Sequence, residues 1–149
     1  MAVERTFALL KPGVLQRRIV GEVLSRLEKS GFRIIACKLI QVSRDVAETH
    51  YAEHREKSFY PSLVEYMESS PSIAMVLERK DAIASLRKLA GAIHPAKAAP
   101  GTIRADYAIV TQKNIIHASD SPESANREIN LFFSDEEIHP FEDGNAEWY

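Results

Sequence analysis

Short apolar runs and helical repeats alternate along the chain, and their order predicts its architecture. Thr6 to Leu10 is a buried strand that stops at Lys11-Pro12-Gly13. Val20, Val23, Leu24 and Leu27 share one face of a helix closed by Gly31. Phe32 to Val42 is a long second strand, with Lys38 and Gln41 marking a partly exposed region. Asp45 caps a short helix through Tyr51, and Pro61 to Met67 forms a second helix with Leu63, Val64 and Met67 inward. Ile73 to Leu77 is a third strand. Asp81 to Ala90 is a helix that turns Ile83, Leu86 and Ala90 inward. Gly91 to Asp106 is a long loop carrying Pro95, Pro100 and Gly101. Loops of that length are functional or disordered, and the basic residues and Pro-Gly turn favour function. Ile115 and Ile116 make a short fourth strand with His117 at its end. Ser121-Pro122-Glu123 then opens a last helix: a cap, a proline at the first position, an acid in the first turn.

The order is β-α-β, a helical pair, β-α-β and a closing helix. That predicts an α+β fold of the ferredoxin-like, split βαβ kind: a four-stranded antiparallel sheet with covering helices, an inserted helical hairpin and one long loop. Residues 1–149 read as a single domain, with no linker, repeat or low-complexity segment.

Composition narrows the class of function. The hydrophobic fraction of 45% and charged fraction of 27% are those of a soluble globular protein. A net charge of −2 gives no global pull toward nucleic acid or anionic membrane, so anion binding needs a local cluster of cations. The run from Phe7 to Leu10 is too short for a signal peptide core or a membrane span, and a cytoplasmic protein is expected. The single cysteine, Cys37, has no internal partner and is expected to pack as a small hydrophobe.

The chemistry concentrates near the last helix. Glu128 falls on the apolar face set by Ala125, Ile129 and Phe132. A carboxylate there is costly unless it has a partner, and His117 is the nearest candidate. Such a pairing fixes the tautomer and frees the other ring nitrogen to react. The alternative is a partly exposed glutamate at the edge of the face and an ordinary histidine. Lys11, Arg55, Arg87, Arg104 and Lys113 are candidate phosphate donors, each of which could equally be a solvated surface charge. No Walker loop or GxGxxG is present, so phosphate transfer would need another device, such as a covalent phosphohistidine. His50 and His54 stand four apart, a spacing that can bind metal, but no further ligands follow and no dedicated metal site is expected. No nucleophile elbow surrounds any serine, which argues against a hydrolase.

The segment Asn114 to Glu128 resembles the N-x-x-H-x-S-D signature of the nucleoside diphosphate kinases. Thr6 to Gly13, His50-Tyr51, Phe59 to Val64, Pro100 to Tyr107 and Asn145 to Tyr149 resemble further parts of that family, in order over nearly the whole chain. The resemblance implies ping-pong transfer of a terminal phosphate from a nucleoside triphosphate to a nucleoside diphosphate, carried on His117. Ser119 and Glu128 match groups that support the histidine, and Tyr51 one that bonds near it and Lys11. Lys11, Arg87 and Arg104 match phosphate-binding positions, and Asn114 a residue on the ribose or phosphate side. Phe59, Leu63 and Thr111 match the base side, where stacking implies tolerance of many bases. The resemblance also implies Mg²⁺ carried on the nucleotide phosphates. It implies a homo-oligomer as well, a hexamer or alternatively a tetramer, with Pro95 and the Trp148-Tyr149 tail at contacts with a neighbouring subunit.

The sequence departs from the family at Ile93, where most members have a phosphate-bonding threonine. One lost hydrogen bond to a charged group is worth about 1.5–3 kcal/mol, roughly tenfold to a hundredfold in affinity. Thr111 replaces a common valine, Ser58 a proline, Ser70 a glycine and Lys113 an arginine. The competing reading is a nucleotide-binding or regulatory domain on the same scaffold. A mere binder needs neither His117 nor Glu128.

Overall fold

The computed structural model describes residues 3–149. Four strands form one antiparallel sheet: β1 (Val3–Leu10), β2 (Arg33–Ile40), β3 (Ser72–Lys80) and β4 (Ile116–Ala118), in the order β2-β3-β1-β4. The helices are α1 (Val20–Lys29), α2 (Arg44–His50), α3 (Tyr60–Glu68), α4 (Ala82–Ala90), α5 (Ile103–Tyr107) and α6 (Pro122–Phe132). Passing from β1 through α1 to β2 skips the place that β3 fills, which is the split βαβ arrangement.

Alternation along the strands gives the sheet two apolar faces. Ala8, Leu10, Met75 and Leu77 pack against Val23 and Leu27 of α1 and Leu86 of α4. Phe7, Leu9, Ala74 and Val76 pack against Val64 and Met67 of α3 and Ile129 and Phe132 of α6. The sheet is therefore the middle of three layers, with the inserted α2–α3 hairpin and α6 closing one side.

Several boundaries differ from the sequence expectation for local reasons. Strands β1 and β3 run longer because polar residues pair across them: Arg5 Nε donates to Glu78 Oε2 at 2.7 Å, and Arg33 Nη2 to Oε1 at 3.2 Å. Ser43, not Asp45, caps α2: its hydroxyl accepts from the Val46 N–H. The long loop contains a turn of 3₁₀-helix at Pro95–Lys97 and the helix α5, whose cap Thr102 accepts from the Ala105 N–H. Gly31 closes α1 as expected, at φ +89, with Phe32 N–H reaching Leu27 O and Gly31 N–H reaching Glu28 O.

Cys37 is exposed rather than packed. A bulge between Ile34 and Ala36 turns Ile35 and Ala36 both toward the Phe7 layer and sends Cys37 the other way. The C-terminal tail folds back on its own chain. Phe141 O accepts from Arg33, and Tyr149 lies over Gly31 so closely that a Cβ there would fall 2.5 Å from its ring. Trp148 stays exposed.

Candidate active site

Strand β4 begins one residue later than its apolar pair suggests, so His117 is its central residue and lies opposite Leu9. Ile115 is the cause. It adopts φ +75, and the Ile116 N–H donates to Asn114 O at 2.9 Å, which closes a three-residue γ-turn. A β-branched residue at positive φ is strained, and the surrounding contacts hold it there. The turn brings Asn114 and His117 to the same cavity.

Ser121 caps α6 by accepting from the Ser124 N–H at 3.0 Å, and Pro122 occupies the first turn. The helix then buries Glu128 beside Ala125, Ile129 and Phe132. Glu128 has the partners its burial requires: His117 Nε2 donates to Oε2 at 2.9 Å, and Ser119 Oγ donates to Oε1 at 2.5 Å. A carboxylate can only accept, so the ring proton sits on Nε2 and the lone pair on Nδ1.

Above His117 opens a cavity of about 600 Å³, within the range of nucleotide-sized sites. Its wall brings together Lys11, Tyr51, Phe59, Leu63, Arg87, Ile93, Arg104, Thr111, Asn114, His117 and Glu128. Ser119 lies behind the wall, fully buried against Glu128. Arg55 and Lys113 are exposed and take no part in the wall.

The inner end is cationic. Lys11 is buried and donates to Asn114 Oδ1 at 2.7 Å, while Asn114 Nδ2 donates to Ile93 O at 3.0 Å. Burial first, and the Arg104 guanidinium second, hold the Lys11 amine at about 7. Arg104 is also buried, and its charge is met by three carbonyls: Nε donates to Asn114 O, Nη1 to Gly91 O and Nη2 to Ile116 O. It braces the long loop against β4 as well as facing the cavity. Arg87 Nη1 donates to Ala118 O at 3.1 Å. The Tyr51 hydroxyl is buried without a partner, and burial raises its pKa.

The outer end is apolar. Phe59 caps the start of α3, is 47% exposed, and so belongs to the mouth rather than the core. Gln112 Nε2 donates to Ser62 Oγ at 3.0 Å and ties the loop before β4 to α3. Ile93 is 52% exposed at the rim and offers the cavity no hydroxyl.

Sequence reasoning missed His50, Glu53, His54, His94, Gln112, Asp120 and Ser124 as wall residues. His50 and His54 carried only their helical spacing. His50 is buried at the end of α2, and its ring stands edge-on to His117 with centroids 4.5 Å apart. Burial above all lowers its pKa well below the ordinary imidazole value, nearby Lys11 acts the same way, and the ring stays neutral.

A histidine fixed by a buried carboxylate, at the floor of a cavity with cations inside and an aromatic mouth, defines a nucleotide-dependent phosphoryl carrier. The comparisons agree. The family profile for nucleoside diphosphate kinase matches residues 4–138. The nucleoside diphosphate kinase of Archaeoglobus fulgidus is 53% identical, over 98% of this chain and 97% of that protein. That of Treponema pallidum is 52% identical over the full length of both. Among solved structures, a halophilic nucleoside diphosphate kinase from Halobacterium salinarum in complex with CDP superimposes with a TM-score of 0.95 at 40% identity, covering 99% of this chain and 98% of that one. The Encephalitozoon cuniculi enzyme superimposes at 0.94 and 41% identity, covering 97% and 98%. The chain belongs to the nucleoside diphosphate kinase family.

Proposed function

We propose that the chain works as one nucleoside diphosphate kinase domain with Nδ1 of His117 as its phosphate carrier. The observation that carries this reading is the 2.9 Å bond from His117 Nε2 to Glu128, which leaves the Nδ1 lone pair for the cavity. In the first half-reaction that lone pair attacks the terminal phosphorus. The bond from phosphorus to the bridging oxygen breaks, and the nucleoside diphosphate leaves. In the second, a terminal oxygen of the acceptor diphosphate attacks the same phosphorus, and Nδ1 recovers its lone pair. The ring becomes cationic while phosphorylated, and Glu128 offsets that charge through Nε2–H. Ser119 holds Glu128 in place.

Lys11, Arg87 and Arg104 receive the phosphates, and the unpaired Tyr51 hydroxyl donates near His117. Asn114 links Lys11 to the loop carbonyl of Ile93 and borders the sugar. The base rests on Phe59, with Leu63 and Thr111 beside it, so many bases are accepted. Mg²⁺ arrives on the nucleotide phosphates as part of the substrate.

The reading also places the enzyme in the cytoplasm, in keeping with the absence, among described residues, of a helix long and apolar enough to cross a membrane. It makes the working unit a homo-oligomer, a hexamer or alternatively a tetramer, and the exposed apolar residues Ile109 and Val110 support association of copies.

Incubation with ATP labelled in the terminal phosphate tests the reading. Acid-labile label should appear on the protein and vanish in His117→Ala, and initial-rate lines should be parallel in the two substrates. Label that persists in the variant, or converging lines, would reject it.

A further inference from the structure

His50 is a cavity group that the phosphoryl chemistry leaves unemployed, and it is buried with neither ring nitrogen hydrogen-bonded. A neutral imidazole carries one donor and one acceptor, and burying both unmet is costly. The ring therefore asks for a ligand. Its Nδ1 lies 3.8 Å from Glu128 Oε2, the same oxygen that meets His117 Nε2 at 2.9 Å. The donor atoms of His50, His117 and Glu128 all lie within 4.8 Å of one another. Tetrahedral zinc, with bonds near 2.0–2.2 Å, holds its ligands about 3.3 Å apart. The observed separations bracket that value, so modest side-chain rotation closes the set. Two imidazoles and one carboxylate, with the remaining position open to the cavity, is a zinc donor set.

We propose that His50, His117 and Glu128 form a binding site for a divalent cation of the zinc class, and that its occupation switches phosphoryl transfer off. The metal takes a lone pair on Nε2 of His117, and the proton that Nε2 shared with Glu128 passes through solvent to Nδ1 of the same ring. Nothing is oxidised or reduced. With Nδ1 now carrying the proton, it has no lone pair with which to attack phosphorus, and Glu128 is drawn onto the metal. The nitrogen donors discriminate against Mg²⁺, which prefers an all-oxygen shell, so the cation carried by the nucleotide does not compete. The inhibitory half rests on the phosphohistidine reading; the binding half does not.

The test separates the two. Co²⁺ added to nucleotide-free protein should give the visible absorption of a low-coordinate nitrogen and oxygen site, one ion per chain. Zn²⁺ should displace it and Mg²⁺ should not. The signal should disappear in His50→Phe and persist in His54→Gln, which removes the neighbouring surface histidine instead. A featureless spectrum in the unmodified protein overturns the site whether or not the variant folds. A signal unchanged in folded His50→Phe places the metal elsewhere and does the same. In the kinetic arm, zinc-loaded protein should lose labelling by ATP at least tenfold and regain it when a chelator removes the metal. Bound zinc with undiminished labelling overturns the inhibition. Absence of labelling in zinc-free protein supplied with Mg²⁺–ATP defeats the kinase reading and leaves the cobalt result standing.

Discussion

Lys11 and Ile93 both line the cavity, and on the proposed function each bears on how tightly phosphate is held. With its amine held at about 7 against an ordinary 10.5, the folded chain binds fewer protons at Lys11 than the unfolded chain between those values. Its burial therefore costs stability at low pH, and the cost is relieved as pH rises through that window. On the proposed function, nucleotide phosphates beside Lys11 reverse the balance by drawing a proton back onto the amine. Binding of the Mg²⁺–ADP complex at pH 8 should take up most of one proton per site, seen as a buffer-dependent heat in calorimetry. The uptake should be missing in Lys11→Met. At Ile93 the rim position decides between two outcomes. The side chain is half-exposed rather than in the core, so Ile93→Thr buries no orphan hydroxyl. It should tighten nucleotide binding by up to roughly tenfold to a hundredfold with the melting temperature unchanged. Unchanged affinity would mean that Lys11, Arg87 and Arg104 hold the phosphates without help there. Residues of this kind were legible where helical spacing exposed a misfit, as with Glu128. They were not where the partner is backbone: nothing in the sequence announces that Arg104 holds three carbonyls.

Short elements carry the site, and their ends matter more than their lengths. The cap and proline at the start of α6 were plain in Ser121-Pro122, because capping is local chemistry. The start of β4 was not, because only the chain's tertiary contacts force Ile115 into a γ-turn against its own preference. The bulge that turns Cys37 outward was hidden for the same reason. Ser121→Ala separates helix stability from chemistry. The Ser124 N–H loses its acceptor, and the domain should lose about 1 kcal/mol, read as a lower denaturation midpoint. Glu128 lies almost two turns further on and keeps its bonds to His117 and Ser119, so phosphorylation by ATP should proceed at nearly the parent rate. A large fall in that rate without a fall in stability would show that the cap positions the site directly.

Over the whole molecule, the four-stranded antiparallel sheet with covering helices followed from the order of strand runs and helical repeats, since each apolar face has to be buried by something, whereas the division of the core into two layers is set by which strand residues face which helices. Assembly is a different matter, because the same alternation cannot say which exposed apolar residues meet a second copy. In the tail, Tyr149 lies against Gly31 of its own chain, while Trp148 beside it stays exposed and available to a neighbour. The loop after α5 is a second candidate for contact between copies. There Ile109 is 91% exposed and Val110 lies beside it, also exposed, immediately before the wall residues Thr111 and Gln112. A branched apolar side chain wholly in water, on a loop that borders the cavity, is a natural point of contact between copies. If copies associate there, Ile109→Asp puts an unpaired carboxylate into a desolvated contact. The cost should weaken association on the order of a hundredfold. Sedimentation should then show smaller species than the parent at equal concentration, with secondary structure intact. Nucleotide binding should weaken in those species, because the loop that carries Thr111 and Gln112 loses its support. An unchanged sedimentation profile would place the assembly contact elsewhere on the surface.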